Sequence, residues 1–224
     1  MIVVGVIGQK GGGGKTTVSL SLAVASAEQS LAAAVIDIDQ QANAAKWRDR
    51  RTSESVAVIG TLQSRIRQTL ETARSHGADF VVIDSPGHND SAAMETARAS
   101  DIVLLPVEAQ MFHFDTLPAM RDLIRIAGDT PAYLLLNKLH PTASVQAERL
   151  KHMIEAAYTM PVCPVHLSRL DIYATSADLG LTPLEQDPKG KAAQEIRGLY
   201  KFLCQQVNKL RNEHVKNAGL ATGT

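Results

Sequence analysis

The chain has two cysteines in 224 residues, Cys163 and Cys204, and they form no C-x-x-C pair. They suggest neither a disulfide framework nor a metal knuckle, and a reducing cytoplasm fits. No apolar run approaches the roughly 18–20 residues of a membrane span. The opening "MIVVGVIG" has no basic n-region or cleavage site, so it reads as a buried strand, not a targeting peptide. Net charge is zero, which argues against a strongly basic nucleic-acid binder. Seven histidines lie scattered without ligand spacing, so they suggest no metal centre. Internal repeats, low-complexity linkers and charge blocks are missing too. Residues 1–216 are therefore expected to form one domain, with "NAGLATGT" (217–224) a loose tail. So little chain precedes the first strand that no N-terminal DNA-reading module is expected.

Charged residues make up 21% and hydrophobic ones 45%, the profile of an ordinary globular domain. Short β-rich apolar runs at 2–7, 32–38, 79–84, 101–107, 132–137 and 161–165 read as strands, with 55–60 a further short candidate. Most are apolar at every position, as expected of parallel strands covered on both faces. Helical patterns fall between and after them at about 16–29, 41–51, 62–76, 90–99, 115–127, 143–157 and 189–213. This alternation predicts a doubly wound, mainly parallel α/β sheet flanked by helices.

The stretch "GQKGGGGKTT" (8–17) joins the first strand to the first helix. A glycine-rich turn there lets backbone N–H groups surround a phosphate chain, and the helix N-terminus adds partial positive charge. Gly11, Gly12 and Gly14 supply the backbone freedom, Lys15 reaches the outer phosphates, Thr16 offers a hydroxyl to Mg²⁺, and Thr17 lies near the inner phosphate. Gly13 is a fourth glycine with no evident demand on it. The common pattern G-x-x-x-x-G-K-[ST] places a glycine where this chain has Gln9, and it requires no lysine at Lys10.

Those departures carry a resemblance. The string K-G-G-x-G-K-T-T resembles the deviant Walker A motif of the ParA/MinD family of P-loop ATPases, in which a glutamine at Gln9 is ordinary. The resemblance implies that Lys10 crosses a dimer interface to the partner's phosphates, so that ATP closes a homodimeric sandwich around two nucleotides. "DIDQQAN" (37–43) resembles the family's D-x-D-P-Q-[GA]-[NS] switch, with Gln40 in place of the usual proline. Alternate strand residues point one way, so Asp37 and Asp39 both face the site if the strand persists. The family role for Asp39 is to position the attacking water, which leaves Asp37 for a water-mediated Mg²⁺ contact. Both acids capping a helix is the plainer alternative.

"DFVVIDSPG" (79–87) is an apolar strand ending in an acid, the Walker B arrangement, with Asp84 holding Mg²⁺ through water. Ser85-Pro86-Gly87 resembles the family's second switch. In "LLLNKLHP" (134–141), Asn137-Lys138 begins the guanine-reading pattern N-K-x-D, but His140 stands at the Asp position, which favours ATP over GTP. The family places an asparagine at this strand end near adenine, implying Asn137, with Pro164 to His166 also on the base side. A cap or turn role for Asn137 stands beside that reading. Arg169, the Gly180 turn and the helix opening "KAAQEI" (191–196) are also similar to the end of small ParA proteins, so the resemblance spans nearly the whole chain.

From Lys189 onward seven Lys or Arg face two Glu, about +5, while the remainder is about −5. Lys189, Lys191, Arg197, Lys201, Lys209 and Arg211 are candidates for an exposed basic edge, and a solvated charged face is the plain alternative. The resemblance implies non-specific DNA binding there, driven by phosphate contacts and sensitive to salt. It also implies a ParB-like or other cargo adaptor that triggers hydrolysis, and a cytoplasmic, nucleoid-associated protein. A MinD-like membrane role would need an amphipathic anchor, and "NEHVKNAGLATGT" offers no apolar stripe. A small-molecule ligase or kinase on the same fold is the other alternative.

Overall fold

A computed structural model describes residues 1–87, 89–108 and 116–221, with side chains described to Glu213. The expected helix start at residue 115 and the last three residues of the expected tail lie outside the described residues. Six strands, β1 (Ile2–Val6), β2 (Ala33–Asp37), β3 (Val56–Gly60), β4 (Phe80–Asp84), β5 (Ile102–Glu108) and β6 (Ala132–Asn137), form one parallel sheet in the order β3-β2-β4-β1-β5-β6. The helices α1 (Lys15–Ala27), α2 (Asn43–Arg50), α3 (Ile66–Ser75), α4 (Asp90–Arg98), α5 (Leu117–Ala127) and α6 (Ser144–Tyr158) follow the strands in turn. The short α7 (Ile172–Asp178) and α8 (Pro183–Gln186) lead into the long α9 (Lys191–Ala221). That last helix runs on past residue 213 into the expected tail.

The continuous apolar strands follow from two covered faces. Val4, Val6, Val35, Phe80, Val82, Ile102 and Leu104 pack on one side with α1, Trp47 and the buried face of α9, including Ile196, Leu199 and Leu203. The alternate residues point the other way: Val103 and Leu105 meet α5 and α6, while Val3, Ile36, Val81 and Ile83 meet α3. Each such fully buried Val, Leu or Ile contributes about 1.5–3 kcal/mol relative to exposure.

Two sequence expectations change. The run 161–165 is not a strand: it makes only a single parallel bridge, Val162 to Leu134, along the edge of β6. Leu134 N–H donates to Pro161 O (2.9 Å) and Cys163 N–H to Leu134 O (2.8 Å), while Pro161 has no N–H to extend the ladder. The helices α7 and α8 went unforeseen because seven and four residues are too short for a periodic signal. A local signal for α8 was present: Thr182-Pro183-Leu184-Glu185 is a capping box with proline in the first turn.

β1 is central, and the chain leaves it toward β2 on one side and later returns toward β5 on the other. Ligands of such sheets bind beyond the carboxyl ends of the strands at that reversal. The 8–14 loop, Asp37, Asp84, Glu108 and Asn137 all stand at that edge, with Asp37 in register with Asp84 and Glu108 with Asn137.

Candidate nucleotide site

The loop after β1 turns through two left-handed glycines, Gly12 (φ 81) and Gly14 (φ 87), before α1 begins at Lys15. Gly13 has a different reason to be glycine: a Cβ there would stand 3.1 Å from Pro106 O of β5. α1 has no side-chain cap and no acid in its first turn, so its N-terminal N–H groups are left for an anion. Lys15 is 8% exposed and its Nζ donates to Lys10 O (3.1 Å) across the loop. Burial lowers the pKa of its ammonium, with Asp84 and then Asp39 opposing.

Asp84 is 1% exposed at the end of β4. Ser19 donates to its Oδ1 (3.0 Å), while Oδ2 is buried without a hydrogen-bond partner. Burial raises its pKa to about 7; the Thr16 and Ser19 hydroxyls and Lys15 act against this, and the charge of Asp37 adds to it. A buried carboxylate oxygen without a partner, beside a threonine hydroxyl and a second carboxylate, is the donor set a hydrated divalent cation satisfies. Thr16 and Asp84 therefore fit Mg²⁺.

Asp37 takes the helix-capping role that the sequence left beside a Mg²⁺ contact. Its two oxygens accept the N–H groups of Asp39 (2.9 Å) and Ala44 (3.1 Å), so this buried carboxylate shapes the switch turn and caps α2. Burial raises its pKa and those N–H bonds lower it. β2 stops at Asp37, so strand alternation does not carry Asp39 to the site; a turn does. Asp39 Oδ1 accepts the Gln41 N–H (2.9 Å), and Ala42 follows in the left-handed region at φ 51. The half-buried carboxylate of Asp39 still lines an open cleft of about 370 Å³ with Gly11, Gly12, Gly14, Lys15, Thr16, Thr17, Pro86 and Gly87.

Lys10 is outside that lining. It borders a small cavity on the other side of the loop, against Pro106–Glu108. Next to the phosphate cleft a groove of about 390 Å³ runs along Thr17, Asn137 and Leu167–Asp171. Neither Pro164 nor His166 lines this groove, because the chain turns into it only at Leu167. Asn137 does line it, but its polar atoms are engaged: Nδ2 donates to Gly13 O (2.8 Å), and Oδ1 accepts the Lys138 N–H (2.8 Å). Lys138, absent from the sequence-derived candidates, donates from Nζ to Gly12 O (2.6 Å) and pairs with Glu108.

The basic edge also divides. Arg197 forks onto Glu28 (2.8 and 2.6 Å) and Arg211 reaches Met1 O (2.7 Å) and Asp101 (3.2 Å), so both tie α9 to the body of the fold. Lys191 bonds Pro141 O and lies 3.8 Å from Glu195. Lys189, Lys201 and Lys209 are exposed, with no side-chain partner among the described residues.

The sequence model of the CobQ/CobB/MinD/ParA nucleotide binding domain matches residues 4–184. The carboxysome distribution protein A of Gloeobacter kilaueensis is 26% identical over 211 residues, covering 92% of this chain and 94% of that protein. Among solved structures, the MinD cell division protein of Aquifex aeolicus superposes with a TM-score of 0.75 at 15% identity, covering 92% of this chain and 98% of the other. The ATP complex of McdA from Cyanothece, solved with an aspartate-to-alanine variant, gives 0.71 at 16% identity, with 91% and 96% covered.

Proposed function

Because the chain belongs to the CobQ/CobB/MinD/ParA nucleotide-binding family, we propose that it is a ParA-type positioning ATPase whose ATP-bound dimer holds DNA without sequence preference. It binds ATP with Mg²⁺ and hydrolyses it to ADP and phosphate. The observation that carries this reading is the buried, unpartnered Asp84 Oδ2 behind Thr16, which itself lines the cleft with Lys15 and Asp39. Thr16 and Asp84 would hold Mg²⁺, which when bound would supply charge neutralisation for the phosphate oxygens. Lys15 gathers the outer phosphates, and Asp39 orients the attacking water from its turn. Lys10, set outside its own cleft, is the residue to reach the partner's phosphates and make hydrolysis depend on dimerisation.

DNA contact is assigned to Lys189, Lys201 and Lys209, the cations of the basic edge without side-chain partners among the described residues. A cargo-bound adaptor of ParB-like or other type stimulates hydrolysis and releases the dimer from the nucleoid. The likeness to a carboxysome distribution protein supports a large protein assembly as a cargo class, beside plasmid and chromosome. The test is DNA binding with ATP, ADP and no nucleotide across a salt series. Binding confined to the ATP state and weakening steeply with salt is expected; equal binding in all three conditions contradicts the switch.

A further inference from the structure

We propose that Lys138, acting with Asn137, is a positioning residue that holds the phosphate loop in its binding conformation irrespective of the base; the proposal rests on reading the cleft as a nucleotide site. A loop whose N–H groups surround phosphates must turn its carbonyls outward, and outward carbonyls need donors of their own. The end of β6 supplies them. Asn137 Nδ2 donates to Gly13 O (2.8 Å) and Lys138 Nζ to Gly12 O (2.6 Å), so two consecutive loop carbonyls are held by two consecutive side chains.

Three further features belong to this brace. Asn137 is 6% exposed, and its amide orientation is fixed because Oδ1 accepts the Lys138 N–H. Lys138 takes a left-handed backbone (φ 57), a conformation that costs a residue with a Cβ. Glu108, the strand neighbour of Asn137 on β5, pairs with the ammonium and holds it over the loop. The fit is tight: a Cβ on Gly14 would stand 2.4 Å from Asn137 Nδ2. These contacts give Asn137 and Lys138 a role that does not need the base-reading carboxylate, at whose position this chain has His140. Both side chains are engaged with loop carbonyls, which every nucleoside triphosphate requires alike.

The experiment is titration calorimetry of the full chain with Mg-ATP and with Mg-GTP, for wild type, Lys138→Met and Lys138→Arg. Met keeps the stem and the backbone strain but removes a charge-assisted hydrogen bond, so affinity for both nucleotides should fall about tenfold or more with their ratio unchanged. Arg should recover most of that loss. Unchanged affinity in Lys138→Met, a change in one nucleotide alone, or no recovery by Arg would each overturn the brace. Wild type that binds neither nucleotide would overturn the nucleotide reading itself, and the brace with it. Should Lys138→Met fail to fold, Glu108→Gln carries the same comparison: a smaller, equal loss for both nucleotides is expected, and no loss overturns the proposal.

Discussion

Asp84 has two carboxylate oxygens, and the protein satisfies one of them. A carboxyl whose folded pKa is raised keeps its proton in the folded state while the unfolded chain has lost it. Between about pH 4 and pH 7 the folded state therefore binds more protons, and stability falls as pH rises through that window before levelling off. Without nucleotide and Mg²⁺, Asp84→Asn should flatten this limb and make the variant more stable than wild type at pH 8. The same change should abolish Mg²⁺-dependent hydrolysis. Unfolding curves at pH 5 and pH 8 and a phosphate-release assay check both; a variant with the wild-type pH slope contradicts the assignment. At this scale chemistry and spacing single out Lys15, Thr16 and Asp84 in the sequence, and the fold brings the three together. For Asp37 the sequence left two readings, and the carboxylate meets the backbone N–H groups of the switch turn and α2, as the helix-capping alternative has it. The sequence was silent on Lys138, because the carbonyl that Lys138 holds lies 126 residues away.

α2 follows the Asp39 turn and is fastened to the C-terminal segment. Trp47 donates from Nε1 to Leu181 O (2.9 Å), and Arg51 crosses the Trp47 ring at 4.6 Å. The Arg51 side chain is 1% exposed and its guanidinium bonds Glu185 (2.6 Å), Gly180 O (3.1 Å) and Ser55 (2.8 Å). Gly180 packs its backbone so closely on Arg50 and Arg51 that a Cβ would stand 2.6 Å from them. Removing one partner of a buried, hydrogen-bonded pair is strongly destabilising, so Arg51→Ala should cost about 3 kcal/mol. Arg74→Ala, which breaks only the exposed pair with Glu71, should cost less than about 0.5 kcal/mol. Urea denaturation of the two variants compares them, and equal midpoints would contradict the fastening. Burial of Arg51 depends on partners more than 120 residues away, which local pattern does not reveal.

At the scale of the whole molecule, the fold was legible because most of the parallel strands are covered on both faces and so read as unbroken apolar runs, the edge strand β3 with its exposed Ala57 excepted. The alternation predicts parallel strands but not their order in the sheet, and the run 161–165, expected as a strand, is a bridged edge. Charge was less legible. Arg197 and Arg211 belong to the expected basic edge by composition and to the fold by geometry, since their acids, Glu28 and Asp101, come from distant elements. What the monomer leaves unexplained is Lys10, a lysine in the phosphate loop that does not line its own cleft. The direct measurement is sedimentation velocity with a slowly hydrolysed ATP analogue, with ADP and with no nucleotide, for wild type and Lys10→Ala. The account predicts a wild-type dimer with the ATP analogue alone and a Lys10→Ala protein that binds the analogue yet remains monomeric. A dimer that forms equally in Lys10→Ala, or in the absence of nucleotide, would contradict it.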